Sequence, residues 1–160
     1  MDIHVAGGSG HGPTAMAAYD AALADANLHN YNLVAVSSVV PADAAVHEIE
    51  RAPDLGPAGN RLTVVQARAA ATPADAHETE AIVAGLGWAT GPGPGLFYEA
   101  DGTDPESIRT TVAEGLAAGR ELRDWTFEDE RILLASAETS EDAYTAAVVV
   151  AAYGESEPIA

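Results

Sequence analysis

The sequence predicts one layered domain of mixed helix and strand, α/β or α+β. Three observations carry that expectation. The 160 residues suit a single domain, which would bury roughly 70% of its unfolded surface. Apolar residues make up 48% of the chain, mostly alanine and valine, and the longest apolar run, Ala143 to Tyr153, is too short to span a membrane. Strand-like and helix-like patterns alternate, with no internal repeat and no linker between them.

The elements follow in order. Val5-Ala6 is a short apolar start before the glycine-rich stretch Gly7-Gly8-Ser9-Gly10-His11-Gly12. Pro13-Thr14 opens a helix, with Met16, Tyr19, Leu23 and Ala26 on its apolar face, ending near Asn27. Tyr31 to Val40 reads as a strand rich in β-branched residues, closed by Pro41. Residues 41–61 read as loop, Leu62 to Ala70 as a strand, and Pro73 to Leu86 as a helix. Gly91 to Gly95 is a rigid turn, and Leu96-Phe97-Tyr98 a short strand ending at Glu99. Thr103 to Glu106 starts a helix, by a capping box or with Pro105 in its first position, and Ile108, Val112, Leu116 and Leu122 form its buried face. Thr126 to Ser136 and Ala143 to Tyr153 are strands. The second, nearly continuous Val and Ala, is predicted to be central and covered on both faces.

Charge narrows the chemistry. Seven basic against 25 acidic side chains give −18, which disfavours nucleic acid and anionic membrane surfaces as partners. All seven basic residues are arginine, and the absence of lysine and cysteine excludes a lysine-anchored pyridoxal phosphate, a P-loop lysine and thiolate chemistry. Acidity without lysine favours adaptation to molar salt, where carboxylates hardly repel one another. The N-terminus lacks the basic region of a secretory signal, so a cytoplasmic location is expected.

Few motifs stand out. The glycine stretch could cradle phosphate, but it lacks the strand and the downstream acid of a dinucleotide site, and a tight turn with positive φ fits it better. The histidines at 4, 11, 29, 47 and 77 have no metal-ligand spacing, so no metal is expected. No nucleophile elbow is present. The unusual feature is Ser37-Ser38, between two apolar strand halves. In a continuous buried strand one of the two hydroxyls would be buried and need a partner, whereas a strand end would leave both solvated.

The segment Asn32-Leu-Val-Ala-Val-Ser37-Ser38-Val-Val-Pro41 resembles the self-cleavage site of pyruvoyl-dependent arginine decarboxylases. Val5-Ala-Gly-Gly-Ser9, Asp20-Ala-Ala-Leu23, Gly95-Leu-Phe-Tyr-Glu99 and Glu121-Leu-Arg-Asp-Trp125 are similar to other segments of that family, in the same order over nearly the whole chain. The resemblance implies an α+β fold, a single-domain four-layer αββα sandwich assembled as trimers. It implies that Ser38 attacks the Ser37 carbonyl, giving a small chain 1–37 and a large chain 38–160 that begins with a pyruvoyl group. That group would replace pyridoxal phosphate in converting arginine to agmatine and CO₂, as a step toward polyamines. Glu99 would return a proton to the substrate carbon, and partial burial beside Phe97 and Tyr98 would favour its protonated form. Asn32 would assist processing. Asp20, on a helix face of small residues, would bind the guanidinium, from a neighbouring protomer, and Ser37 would also contact the substrate. The alternatives are the same chemistry on another amino acid, or a trimeric scaffold of this fold that never cleaves.

Overall fold

The computed structural model describes residues 1–160 and begins on a long strand, β1 (Asp2–Gly12), where the sequence suggests a glycine turn. None of Gly7, Gly8, Gly10 and Gly12 has a positive φ. The glycines serve close approach instead, because helix α1 (Ala15–Asp25) lies directly across the strand. A Cβ on Gly8 would stand 2.1 Å from the Ala22 carbonyl oxygen, and one on Gly10 would stand 2.6 Å from the Ala22 nitrogen. Thr14 caps the helix, its hydroxyl accepting from the Ala17 amide at 3.1 Å.

The strands form two sheets. The first has the order β2 (Asn32–Ala35), β5 (Arg61–Ala71), β9 (Tyr144–Tyr153), β1 and β4 (Ala45–Glu48). The second has the order β3 (Val39–Val40), β7 (Gly95–Gly102), β6 (Ala81–Thr90) and β8 (Asp129–Glu138). Strand β4, parallel to β1, lies within residues expected to be loop. Helix α2 is Pro105–Glu121. Asp104 caps it and Pro105 takes its first position, which decides between the two helix starts the sequence allows.

Three apolar clusters define four layers. Ala18, Ala22 and Leu23 of α1 pack on Leu62, Val148 and Val150 of the first sheet. Val5, Val65 and Val149 of that sheet meet Leu86, Trp88 and Phe97 of the second. Ile108, Val112 and Leu116 of α2 cover the outer face through Val83 and Leu96. The result is an αββα sandwich. As expected, β9 is central and fully covered from Thr145 to Ala152.

One predicted helix is a strand. Of residues 73–86, only Ala74–His77 is helical, a short 3₁₀ turn, and β6 begins at Ala81. Read with a period of two, Ile82, Ala84, Leu86 and Trp88 face the central core, and Val83 and Ala89 face α2. Gly85 and Gly87 lie under the helix, where a Cβ would come within 2.4 Å of Ile108 and 2.3 Å of Val112. Alanine and glycine, permissive in either period, hide that alternation. Met16 and Leu122, expected in the core, are 68% and 82% exposed. Leu122 falls just past the end of α2, and Met16 sits on the outward side of α1.

Candidate active site

The predicted strand 31–40 is broken at its two serines. β2 pairs with β5 in the first sheet, and Val36 still donates to the Val64 carbonyl at 2.9 Å. β3 pairs with β7 in the second sheet. Ser37-Ser38 is therefore the point where the chain crosses between sheets. Neither serine belongs to a ladder. Ser37 is exposed and Ser38 half-buried, so the fully buried hydroxyl of a continuous strand is absent.

The crossing is a tight turn. The Val39 N–H donates to the Ser37 carbonyl oxygen at 3.0 Å, closing a γ-turn on Ser38. No other donor reaches that oxygen. The Phe97 N–H, from β7, donates to the Ser38 carbonyl at 2.8 Å. The Ser38 Oγ donates to Glu99 Oε2 at 3.4 Å. A hydroxyl thus sits beside a carboxylate, on the residue that follows a carbonyl whose oxygen already accepts an amide proton. Attack on that carbonyl would place negative charge on the oxygen the amide faces.

Glu99 follows Phe97 by two positions, so both point toward the first sheet. The partial burial expected of Glu99 is not found. Phe97 is buried, but Glu99 is exposed, because it stands where the inter-sheet core ends, and Tyr98 points to the opposite face, against Gly115 of α2. Tyr153, at the end of β9, completes the cluster. Its hydroxyl donates to the Val39 carbonyl at 2.8 Å, and its ring lies 6.1 Å from that of Phe97. Burial, and secondly the negative charge of Glu99, push its phenol up to about 12. Sequence reasoning missed Tyr153; the only signal is a phenol ending an otherwise apolar strand.

Asp20 and Asn32 lie elsewhere on the protomer. They line a cavity of about 560 Å³ with Met16, Tyr19, His29 and Gln66. Asp20 is exposed on α1, and the Tyr19 hydroxyl beside it donates to Gln66 at 2.7 Å. The Asn32 side chain donates to the Gly59 carbonyl at 2.8 Å and makes no contact with Ser37. It fastens the start of β2 to the loop before β5. The cleavage turn borders a separate cavity of about 400 Å³, lined by Ser38, Phe97, Tyr98, Gly119, Leu122 and Arg123 among others. One protomer therefore brings Ser37, Ser38 and Glu99 together and holds Asp20 and Asn32 apart from them. The largest cavity, about 820 Å³ beside Asp2, His4 and Tyr153, contains none of the expected residues. No group of three or more His, Asp or Glu side chains converges as metal ligands would.

The family model for pyruvoyl-dependent arginine decarboxylase matches residues 2–158. Two curated relatives named pyruvoyl-dependent arginine decarboxylase, from two strains of Halobacterium salinarum, are each 52% identical over 160 residues, covering 98% of this chain and 96% of their own. The acidic, lysine-free composition suits a relative of halobacterial proteins.

Proposed function

Since the chain belongs to the pyruvoyl-dependent arginine decarboxylase family and is an enzyme of that class, we propose that it severs its own Ser37–Ser38 bond and then converts arginine to agmatine and CO₂. The observation that carries this reading is the cleavage turn: Val39 N–H on the Ser37 carbonyl, with the Ser38 hydroxyl on Glu99.

In self-cleavage, the Ser38 Oγ bonds to the Ser37 carbonyl carbon and its proton passes to the Ser38 nitrogen as the C–N bond breaks. The Val39 amide faces the oxygen that carries the charge in between. Glu99, within reach of the hydroxyl, takes the proton in transit. Loss of the Ser38 Cα proton, with rupture of the Oγ–Cβ bond, then releases the Ser37 carboxylate. Water replaces the nitrogen at position 38, which leaves as ammonia. Asn32 acts indirectly, by fixing the strand that leads into the turn.

The residues around position 38 fit the resulting group: a half-buried residue beside a carboxylate, its carbonyl held by an amide, on an apolar-lined cavity. When present, a pyruvoyl group supplies the electrophilic carbonyl and the electron sink for decarboxylation. The Phe97 N–H holds the residue-38 carbonyl in place and draws charge toward its oxygen. Glu99 holds the proton that returns to the substrate carbon. Asp20 grips the guanidinium, whose fork matches a carboxylate.

The cavity that Asp20 lines contains neither Ser38 nor Glu99, so a complete site takes Asp20 from a neighbouring protomer. Val34, Val36 and Val39 are 41–42% exposed around the cleavage segment, and an assembly of trimers would cover them. Closure by the neighbour would also exclude water from Glu99.

Intact mass in molar salt tests the reading. The wild-type chain gives fragments 1–37 and 38–160, and Ser38→Ala gives only the full chain. A single full-length species from the wild type overturns it in favour of a non-cleaving scaffold. Asp20→Ala raises KM for arginine; an unchanged KM points to a different amino acid.

A further inference from the structure

We propose that Tyr153 is a positioning residue for self-cleavage: from the end of β9 it holds the Val39 carbonyl, and so keeps the turn that presents the Ser37 carbonyl to the Ser38 hydroxyl. The inference rests on the reading that Ser38 severs this bond.

β3 is an edge strand only two residues long. Along an antiparallel strand, successive residues direct their N–H and C=O to opposite sides. Ser38 directs its carbonyl to β7, where Phe97 donates to it. Val39 therefore directs both of its groups away from β7, to a side where the sheet has no further strand. Its N–H takes the Ser37 carbonyl, and its C=O takes the Tyr153 hydroxyl. The phenol stands where another strand would supply a donor.

The two contacts made by Phe97 and Tyr153 fix the peptide planes on either side of Val39. The N–H that polarises the Ser37 carbonyl belongs to the first of those planes. Holding both keeps it on target while two ladder residues alone would let the edge sway. Tyr153 is well placed to hold, since it pairs with Ile3 in the first sheet and packs on Phe97 of the second. Val39 and Tyr153 both lie in the 38–160 fragment, so the contact survives cleavage and goes on fixing the new N-terminal residue.

Glu99 from β7 acts on the phenol, and the cavity beside it is also lined by the titratable Met1 N-terminus, Asp2, His4, Asp54, Glu155 and Glu157. With its phenol pushed up to about 12, Tyr153 remains a donor through neutral and mildly alkaline pH.

The test is the rate of self-cleavage of the full chain, synthesised in a short pulse in molar salt and followed by intact mass. Tyr153→Phe keeps the ring on Phe97 and removes only the hydroxyl. Cleavage slows about tenfold, the loss expected for one hydrogen bond, while the thermal melt shows a folded protein. A ring-fluorinated tyrosine at 153, of lower phenol pKa, cleaves normally at neutral pH but loses rate at a lower alkaline pH than the wild type. Thermal melts at the same pH values show the chain still folded where the rate has fallen; a rate that falls only as the fold melts overturns the proposal. Tyr153→Phe cleaving at the wild-type rate, or fluorination leaving the limb in place, overturns the proposal. If Tyr153→Phe does not fold, the fluorinated chain decides alone. A wild type that never cleaves overturns this proposal and the reading beneath it together; a cleaving wild type matched by Tyr153→Phe overturns only the role of Tyr153.

Discussion

Val39→Pro removes the one hydrogen atom that faces the Ser37 carbonyl oxygen. The Val39 N–H is the only donor on the Ser37 carbonyl oxygen, so nothing replaces it. It points away from β7, and the β3–β7 contacts do not use it. An outward-facing position on an edge strand is where proline is tolerated. Proline also biases the preceding Ser38 toward extended backbone, which opens the same turn. Loss of a single oxyanion donor costs about 3–4 kcal/mol of transition-state stabilisation, or about 10²–10³-fold in rate. Pulse synthesis in molar salt, with intact mass read from minutes to days, covers that range. The expected outcome is a folded chain, melting near the wild type, that converts to 1–37 and 38–160 several hundred times more slowly. Cleavage within about threefold of wild type would refute the role given to the turn, since a donor at that oxygen is worth far more than threefold.

Two further predictions concern the scaffold. Gly8→Ala places a methyl 2.1 Å from a backbone oxygen of α1, so the helix must move off the sheet. A loss of about 3 kcal/mol is expected, lowering Tm by about 6–12 °C, whereas Gly93→Ala, with nothing within 4 Å, is neutral in the same thermal scan. The second is an alkaline limb of stability. The Tyr153 phenol is raised from its ordinary value of 10.0 to about 12, so the folded state holds a proton that the unfolded chain releases. That stabilisation is complete below pH 10 and is lost as pH rises toward 12. Urea titrations from pH 9 to about 12 should show the decline, and Tyr153→Phe should flatten it.

Much of the molecule was legible in the sequence because it rests on local pattern. The Val-Ala run 143–153 reads as a covered central strand, and Ile108, Val112 and Leu116 mark the buried face of α2 at helical spacing. The Ser-Ser pair, with Glu99 at the end of an apolar segment, pointed to the family before any geometry, since those residue types in that order resemble it. Two of the errors share a cause. In Gly7–Gly12 and Ala81–Ala89, glycine and alanine suit turn, helix and strand alike, and the deciding contact comes from a helix elsewhere in the chain.

Other facts belonged to the tertiary structure alone. Ser37-Ser38 reads as the middle of one strand, yet its halves join different sheets, because β5 and β7 offer edges on opposite layers and the chain must cross between them. That crossing makes the turn, aims the Val39 amide at the Ser37 carbonyl, and brings Tyr153 from more than a hundred residues away onto Val39. Asp20 lines a different cavity from Ser38, which sequence order cannot reveal. Sequence determined which groups are available for the reaction. Long-range strand pairing decided which of them meet, because that pairing depends on how whole faces are buried rather than on any residue's own preference.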